Sequence, residues 1–227
     1  NWEQIRTTIC YNNQNVKIAG AHSGVSVGPD GATHQAIEDI AITRVIPNMV
    51  VLAPCDAIEA KKATIAAARY KGPVYIRFTR EKTPVMTTED TPFEISQAEI
   101  YRNGKDVTII ACGPLVYEAL KAAEELTKEG IEAEVLNNHT VKPMDKETIL
   151  KSVKKTGCVV TIEEHQAAGG MGSAVSEILS QNHPVPMEII GVKDRFGESG
   201  EPNELLEKFG LTAKNIIVAA RKVLKRK

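Results

Sequence analysis

Short hydrophobic runs alternate along the chain with longer segments of mixed polarity. The short runs are rich in valine and isoleucine and contain few polar residues, which is typical of parallel strands covered on both faces. They predict strands at Val16–Gly20, Met49–Ala53, Val74–Thr79, Val107–Gly113, Ala133–Asn138, Cys158–Glu163 and Glu188–Val192.

The longer segments have helical patterns of hydrophobic and polar residues. They predict helices at Trp2–Tyr11, Gln35–Thr43, Ala57–Tyr70, Leu115–Glu129, Lys146–Lys155, Gly172–Gln181, Glu204–Phe209 and Ala213–Lys225. This alternation of strands and helices predicts an α/β fold in which right-handed crossovers join parallel strands.

The segment Glu81–Lys105 interrupts the alternation. It contains two prolines, several threonines and mixed charge, and Asn103-Gly104 marks a turn before the next strand. We therefore expect two consecutive parallel-sheet domains, residues 1–90 and residues 106–227, joined by a linker at residues 91–105. A chain of 227 residues, of which 42% are hydrophobic, is long enough for two such domains.

Charge and cysteine content argue against several classes of protein. The 28 basic and 29 acidic residues give a formal net charge of -1, which gives no support for binding to nucleic acid or to a membrane surface. No signal peptide or run of transmembrane length is present, so we expect the cytoplasm. Four scattered cysteines, Cys10, Cys55, Cys112 and Cys158, lack the spacing of a disulfide framework or a zinc site, and three of them lie in hydrophobic runs and are expected to be buried thiols.

A glycine-rich segment directly after the first predicted strand carries the most informative chemistry. His22, Asp30 and His34 lie within thirteen positions of one another. Arg80 follows the strand Val74–Thr79. Because the carboxyl ends of parallel strands share one sheet edge, His22 and Arg80 are expected to converge there, where two cationic donors suit a phosphate.

Simpler interpretations of these residues remain open. Arg80 could form a surface ion pair with Glu81 or Asp90, and Asp30 could be only a turn residue. We expect His34 to begin the following helix, whose positive end would favour a neutral imidazole. Alternatively, His34 only forms hydrogen bonds within its own loop.

Three other segments contain residues that could serve the structure or the function. Asp56 and Glu59 are expected to cap a helix. Residues 169–173 could hold a phosphate, but tight packing between strand and helix is the favoured interpretation. His139 and His165 follow strands of the second half and could line a second cleft.

These motifs, taken in order, resemble transketolase. The residues that resemble its pyrimidine-binding domain are His22-x7-Asp30-Gly-x-Thr-His34-Gln35, Arg44-x2-Pro47-Asn48-Met49, Pro54-Cys-Asp56-x2-Glu59, Gly72-Pro73 and Thr79-Arg80. Those that resemble its C-terminal domain are Ala111-Cys-Gly113-Pro, Lys142-Pro143-Met-Asp145, Glu163-Glu-His165-x3-Gly169-Gly-x-Gly172-Ser and Phe196-Gly-Glu198-Ser-Gly200. The resemblance covers essentially the whole chain and is closest to the C-terminal subunit of a split transketolase.

The resemblance implies a truncated pyrimidine-binding domain followed by a three-layer α/β/α C-terminal domain. It implies an enzyme that uses thiamine diphosphate and Mg²⁺ (or Ca²⁺) to transfer a two-carbon ketol unit between sugar phosphates. The implied partners are a diphosphate-binding N-terminal subunit, a second copy of this chain and phosphorylated sugars. The cofactor would be bound jointly with the partner, because it lies between two domains in this family.

The resemblance also implies roles for four residues. His22 and Arg80 would contact the substrate phosphate, and Asp30 would contact the hydroxyl beside the reacting carbonyl. His34 would lie near the reacting carbon and the cofactor, so His34 and Asp30 are the expected catalytic residues. No metal ligand is assignable, and His34 alone is expected near the cofactor. The family's activating glutamate belongs to a unit that precedes the position of Asn1, so we expect the chain to be inactive alone.

Two alternatives to a transketolase remain open. One is a relative with the same fold, either a 1-deoxy-xylulose-5-phosphate synthase or the β subunit of a 2-oxoacid dehydrogenase. The synthase usually has an acidic residue at the position of His22, and the dehydrogenase subunits lack the Asp30–His34 arrangement. The other is a non-catalytic assembly module that keeps a decayed site.

Overall fold

The computed structural model describes residues 1–227 and arranges the strands in two mostly parallel sheets. The strands are β1 (Lys17–Gly20), β2 (Val50–Leu52), β3 (Val74–Arg77), β4 (Glu99–Arg102), β5 (Val107–Ala111), β6 (Ala133–Asn137), β7 (Thr140–Lys142), β8 (Val159–Gln166) and β9 (Met187–Val192). The first sheet has the order β1-β3-β2-β7, and the second has the order β4-β6-β5-β8-β9. Only β7 and β4, each at one edge of its sheet, run antiparallel to their neighbours.

Helices cover both sheets. They are α1 (Trp2–Gln4), which continues as a π-helix over Ile5–Tyr11, α2 (Asp39–Arg44), α3 (Ala57–Arg69), α4 (Leu115–Thr127), α5 (Lys146–Thr156), α6 (Met171–Asn182), α7 (Pro202–Phe209) and α8 (Ala213–Leu224). Two 3-10 turns, separated by a kink at Gly28, span Val25–Asp30. None of these helices combines the length and the apolar character needed to cross a membrane.

The central strands confirm the prediction of an α/β fold with two sheets, and the structure differs from the sequence-based prediction at three places. β4 lies within the stretch that we expected to be a linker, and β7 was not predicted at all. Residues of β4 are half-buried or exposed, because this edge strand faces solvent and lacks a continuous hydrophobic run. Helix α2 begins at Asp39 rather than at Gln35, because Ala36 pairs with Ser23 in an isolated parallel bridge.

The second sheet separates two hydrophobic clusters. Along β5, Ile109 and Ala111 face a cluster that includes α4 and α8, whereas Ile110 faces a second cluster that includes α5 and α6. This alternation follows from the two-residue period of a strand. The second cluster continues into the first domain, where it contains Met49 and Val51 of the β2 region. The two halves of the chain therefore share a hydrophobic core.

A buried ion pair lies where the two domains meet. Arg77 Nε donates to Asp39 Oδ2 at 2.8 Å, and the Tyr75 hydroxyl donates to the same oxygen at 2.9 Å. Arg77 Nη2 also donates to the backbone oxygens of Glu164 at 2.8 Å and Ala36 at 3.1 Å. Burial alone would raise the pKa of Asp39, but the adjacent Arg77 guanidinium holds it below its usual value.

Replacement of Asp39 by alanine should destabilise the protein strongly, because Arg77 would keep its buried charge without a counter-ion. Loss of one partner of a buried ion pair costs about 3–5 kcal/mol in the free energy of unfolding. Urea denaturation of wild type and Asp39→Ala measures this difference. The control is Glu89→Ala, which removes the exposed Lys61–Glu89 pair and should have little effect. Equal losses in the two variants would contradict the prediction.

Candidate functional site

Residues 22–35, here called the site loop, follow β1 at the carboxyl edge of the first sheet. The loop is closed by two backbone hydrogen bonds, from Ala36 N to His22 O at 3.1 Å and from Gly24 N to Ala36 O at 2.8 Å. Gly24, Gly28 and Gly31 have φ values of 85°, 79° and 78°, a region that favours glycine. These hydrogen bonds place the backbone next to His34 beside the backbone of His22.

Arg80 reaches the same edge along the neighbouring strand. Hydrogen bonds from Phe78 N to Gly20 O at 2.7 Å and from Ser23 N to Phe78 O at 3.1 Å extend the pairing of β1 with β3 toward Arg80. Arg80 Nη1 forms an ion pair with Asp30 Oδ1 at 2.8 Å and donates to Val27 O at 3.2 Å. Arg80 and Asp30 are therefore in direct contact.

The open question about the partner of Arg80 is resolved by this geometry. Glu81 Oε1 lies 3.9 Å from Arg80 Nε, a longer approach than that of Asp30, and Asp90 forms no ion pair. The side chains of Arg80 and Asp30 are 38% and 34% exposed, so both remain accessible from solvent. An exposed pair of this kind contributes little to stability.

Both histidines of the site loop are exposed. The Nδ1 atom of His34 lies 3.0 Å from Thr33 Oγ1, so this ring has a hydrogen-bond partner within its own loop. The expectation that His34 begins a helix is wrong, because α2 begins at Asp39. The argument for a neutral imidazole at a helix end therefore does not apply. His22 has a φ of 59°, and its backbone oxygen closes the site loop.

Sequence reasoning missed two buried residues that hold the site loop from beneath. Gln35 is 5% exposed, and Glu164 of β8 is 1% exposed. The Glu164 carboxylate accepts a hydrogen bond from Ser26 N at 2.5 Å. Both residues belong to motifs that carry the family resemblance, and a polar residue inside such a motif was the available signal.

The helix-capping prediction for Asp56 and Glu59 is confirmed. Asp56 Oδ1 accepts from Glu59 N at 2.8 Å, and Glu59 Oε2 accepts from Cys55 N at 2.6 Å, a reciprocal arrangement at the start of α3. Glu59 also accepts from Asn137 Nδ2 of β6 at 2.7 Å, so the cap contacts the second domain. Burial raises the pKa of Glu59.

The segment at residues 169–173 is occupied by the protein's own carboxylate. Glu163 accepts from Met171 N at 2.6 Å and from Gly172 N at 2.8 Å, at the start of α6. A Cβ atom at Gly172 would lie 2.6 Å from Thr161 Oγ1, which confirms tight packing between strand and helix. Burial raises the pKa of Glu163 to about 7.

His139 and His165 line no second cleft, so that expectation is wrong. Both are fully buried. The His139 ring stacks on Phe93 with centroids 4.2 Å apart, and the His165 Nε2 atom accepts from Ala41 N at 3.3 Å. Burial lowers the pKa of each to about 4. Both are neutral packing residues at neutral pH.

No group of three or more histidine, cysteine, aspartate or glutamate side chains has a geometry suited to a metal ion. All four cysteines are buried and free, one more than the three buried thiols expected from the sequence. The polar groups of the site loop could bind an anion and exchange a proton, but they include no constellation that encloses a cofactor by itself.

Comparison with known families decides the assignment. Residues 1–86 match the transketolase pyrimidine-binding domain, and residues 96–216 match the transketolase C-terminal domain. The chain belongs to the transketolase family. Relatives in that family include the 6-deoxy-6-sulfo-D-fructose transketolase subunit SqwH of Clostridium sp. strain MSTE9, 46% identical over 99% of this chain and 70% of that protein.

Two further transketolases extend the comparison. An apulose-4-phosphate transketolase subunit of Phocaeicola vulgatus is 39% identical over 99% of this chain and 72% of its own length. A solved structure described as a split-gene transketolase, an inactive β4 tetramer, is 47% identical and superposes with a TM-score of 0.94. It is matched over 100% of this chain and 72% of that one. The fold expected of a transketolase C-terminal section is thus confirmed.

The buried His139 ring should make stability depend on pH. The pKa of His139 is about 4 in the folded protein and near its ordinary value of 6.5 when unfolded. Between these values only the unfolded chain binds the proton, so the free energy of unfolding should fall as pH falls, by up to about 1.4 kcal/mol per pH unit.

Urea unfolding of wild type and His139→Leu, measured from pH 7 to pH 4, tests this effect. Glu163 titrates in both proteins, so its opposite contribution cancels in the difference. The stability of wild type relative to His139→Leu should decrease steadily on acidification. A constant difference across that range would count against a neutral buried imidazole.

Proposed function

We propose that this chain is the catalytic C-terminal section of a thiamine-diphosphate-dependent transketolase that transfers a two-carbon ketol unit between anionic sugars. It would act with a diphosphate-binding N-terminal subunit and a second copy of itself. The free buried cysteines suit a reducing cytoplasm. The observation that carries the proposal is the shared sheet edge of His22, Asp30, His34 and Arg80 in a chain of this family.

The proposed substrate anion lies against Arg80 and His22. A guanidinium offers a bidentate fork to a tetrahedral anion, and an imidazole adds a single donor. Arg80 is already paired with Asp30, so an incoming phosphate or sulfonate would take over part of the Arg80 fork. Asp30 would then be free to accept a hydrogen bond from a sugar hydroxyl, as proposed for this residue from the resemblance.

His34 is the proposed proton-transfer residue. Thiamine diphosphate, with Mg²⁺ or Ca²⁺, supplies the electron sink for cleavage of a carbon–carbon bond when it is bound between this chain and its partner. The exposed His34 ring can accept a proton from a substrate hydroxyl, or return one to it, when a substrate is bound beside it. Thr33 Oγ1 restrains this ring at Nδ1 and leaves Nε2 for the substrate.

His22 favours this activity over the alternatives that share the fold. An acidic residue at this position, as in the synthase family, would repel the anion that Arg80 attracts. The Asp30–His34 arrangement argues against a dehydrogenase β subunit. The presence of all four polar groups argues against a decayed assembly module.

The decisive experiment is an assay of the chain assembled with its diphosphate-binding subunit, thiamine diphosphate and Mg²⁺. One arm supplies xylulose 5-phosphate and ribose 5-phosphate, and another supplies pyruvate and glyceraldehyde 3-phosphate. Further arms replace the donor with 6-deoxy-6-sulfo-D-fructose or apulose 4-phosphate, which the names of two relatives suggest. We expect ketol transfer in at least one sugar arm and no turnover of pyruvate.

His34→Ala in the same complex separates a catalytic role from an assembly role. We expect the rate to fall by about a hundredfold or more, in the range found for loss of a general acid or base. A complex that turns over only pyruvate would indicate the synthase. An unchanged rate in His34→Ala would indicate an assembly module.

Arg80→Ala should weaken the binding of charged sugars selectively. Loss of a charge-assisted hydrogen bond costs about tenfold to a hundredfold in affinity, and partial exposure of Arg80 points to the lower end. The KM of a phosphorylated sugar should rise more than that of its unphosphorylated analogue. The matched control is Arg69→Ala, which removes an arginine at the C-terminal end of α3, away from the site loop. Equal effects on both sugars would remove Arg80 from the anion site.

A further inference from the structure

The inner face of the site loop packs against a second-domain segment, residues 196–202, here called the supporting loop. A Cβ atom at Gly28 would lie 3.1 Å from the Pro202 ring, and one at Gly31 would lie 2.6 Å from Ser199 Oγ. The site loop and the supporting loop therefore pack tightly against each other at these two glycines. The exposed face of the same loop carries His22, Asp30 and His34.

Gln35 joins the two loops through a single buried amide. Its Nε2 atom lies within hydrogen-bond distance of three backbone oxygens, those of Val25 at 3.1 Å, Gly28 at 3.3 Å and Glu198 at 2.9 Å. The first two belong to the kinked 3-10 segment Val25–Asp30, and the third belongs to the supporting loop. Gln35 is also the residue that directly follows His34.

Gly197 of the supporting loop lies directly against this amide. A Cβ atom added at Gly197 would overlap Gln35 Oε1. The φ of Gly197 lies outside the left-handed region, so an alanine there acts through this contact and not through backbone strain. A second hydrogen bond also joins the site loop to the second domain, because the Glu164 carboxylate of β8 accepts from Ser26 N.

We propose that Gln35 is a positioning residue through which the supporting loop of the C-terminal domain sets the places of His34 and Asp30. The inference rests on the function proposed above for those two residues. The Gln35 amide contacts the segment before Asp30 and the second domain, and Gln35 directly follows His34 in the sequence. A displacement of the supporting loop is therefore transmitted to both residues. A misplacement of about 1 Å at reacting groups can cost about a hundredfold in rate.

The test uses three variants in the complete complex with the diphosphate-binding subunit and cofactor: Gly197→Ala, Gln35→Ala and the double variant. Gly197→Ala forces Gln35 to move, and we expect kcat to fall about tenfold or more with a smaller change in KM. Gln35→Ala should lower kcat similarly. The double variant should be no worse than Gln35→Ala, because the overlap that Gly197→Ala creates needs the Gln35 side chain. Gln97→Ala, at an exposed glutamine, is the control.

A second readout does not depend on catalysis. The rate at which diethylpyrocarbonate modifies His34 in the full-length chain, measured by mass spectrometry relative to His183, reports the surroundings of the ring. We expect Gly197→Ala and Gln35→Ala to change this ratio at least twofold and Gln97→Ala to leave it unchanged. If Gly197→Ala does not fold, as judged by its melting temperature, Gln35→Ala decides alone.

The outcomes separate this inference from the proposed function. Wild-type kcat and unchanged His34 reactivity in Gln35→Ala would overturn the positioning role while ketol transfer stands. A double variant that loses the product of the two single effects would overturn it as well. If wild type transfers no ketol unit, the proposed function fails. In that case, an altered His34 reactivity would still support mechanical coupling between the two loops.

Discussion

The buried contact between Arg77 and Asp39 is the constraint on which the arrangement of this molecule depends. A guanidinium taken out of water must find a carboxylate and carbonyl oxygens, and here it finds them on three different elements. Its partners come from α2, from the chain just after the site loop and from β8 of the other domain. The requirement to satisfy one charge therefore fixes how β3, the site loop and the second sheet meet.

Charges in the interior and charges at the sheet edge have different consequences. The interior pair is nearly inaccessible, and its geometry is set by several hydrogen bonds. The Asp30–Arg80 pair at the edge is about one-third exposed and has solvent as a competitor. The first pair can hold a structure, whereas the second can rearrange around a ligand. The exposed Asp30–Arg80 pair therefore lies only a few residues along the chain from the buried Asp39–Arg77 pair, which holds the two domains together.

The sequence predicts those features that depend on strong local patterns. The central strands β5, β6 and β8 are buried over most of their length and each contains several aliphatic residues, and the sequence predicts their ends to within three residues. β4 and β7 were missed because one is a half-exposed edge strand and the other has only three residues, and neither has a distinct pattern. The start of α2 was misplaced because the pairing of Ala36 with Ser23 is not a local interaction.

The sequence likewise predicts some features of the candidate site and not others. The residue types at positions 22, 30, 34 and 80, and their place after two parallel strands, follow from sequence. The choice of Asp30 as the partner of Arg80 does not, because it depends on how the site loop folds back. The contacts of Gln35 and Glu164 with the opposite domain required a tertiary structure.

The pairing of β7 with β2 has a consequence for how such a chain can be inherited. β7 lies in the segment that matches one family domain, yet it completes the sheet of the other. An exchange of genetic material at the border between the two domains would leave β2 without its partner strand. It would also separate the two halves of the hydrophobic core that they share. Recombination that preserves folding would have to move both halves together, so the unit of descent is larger than either domain.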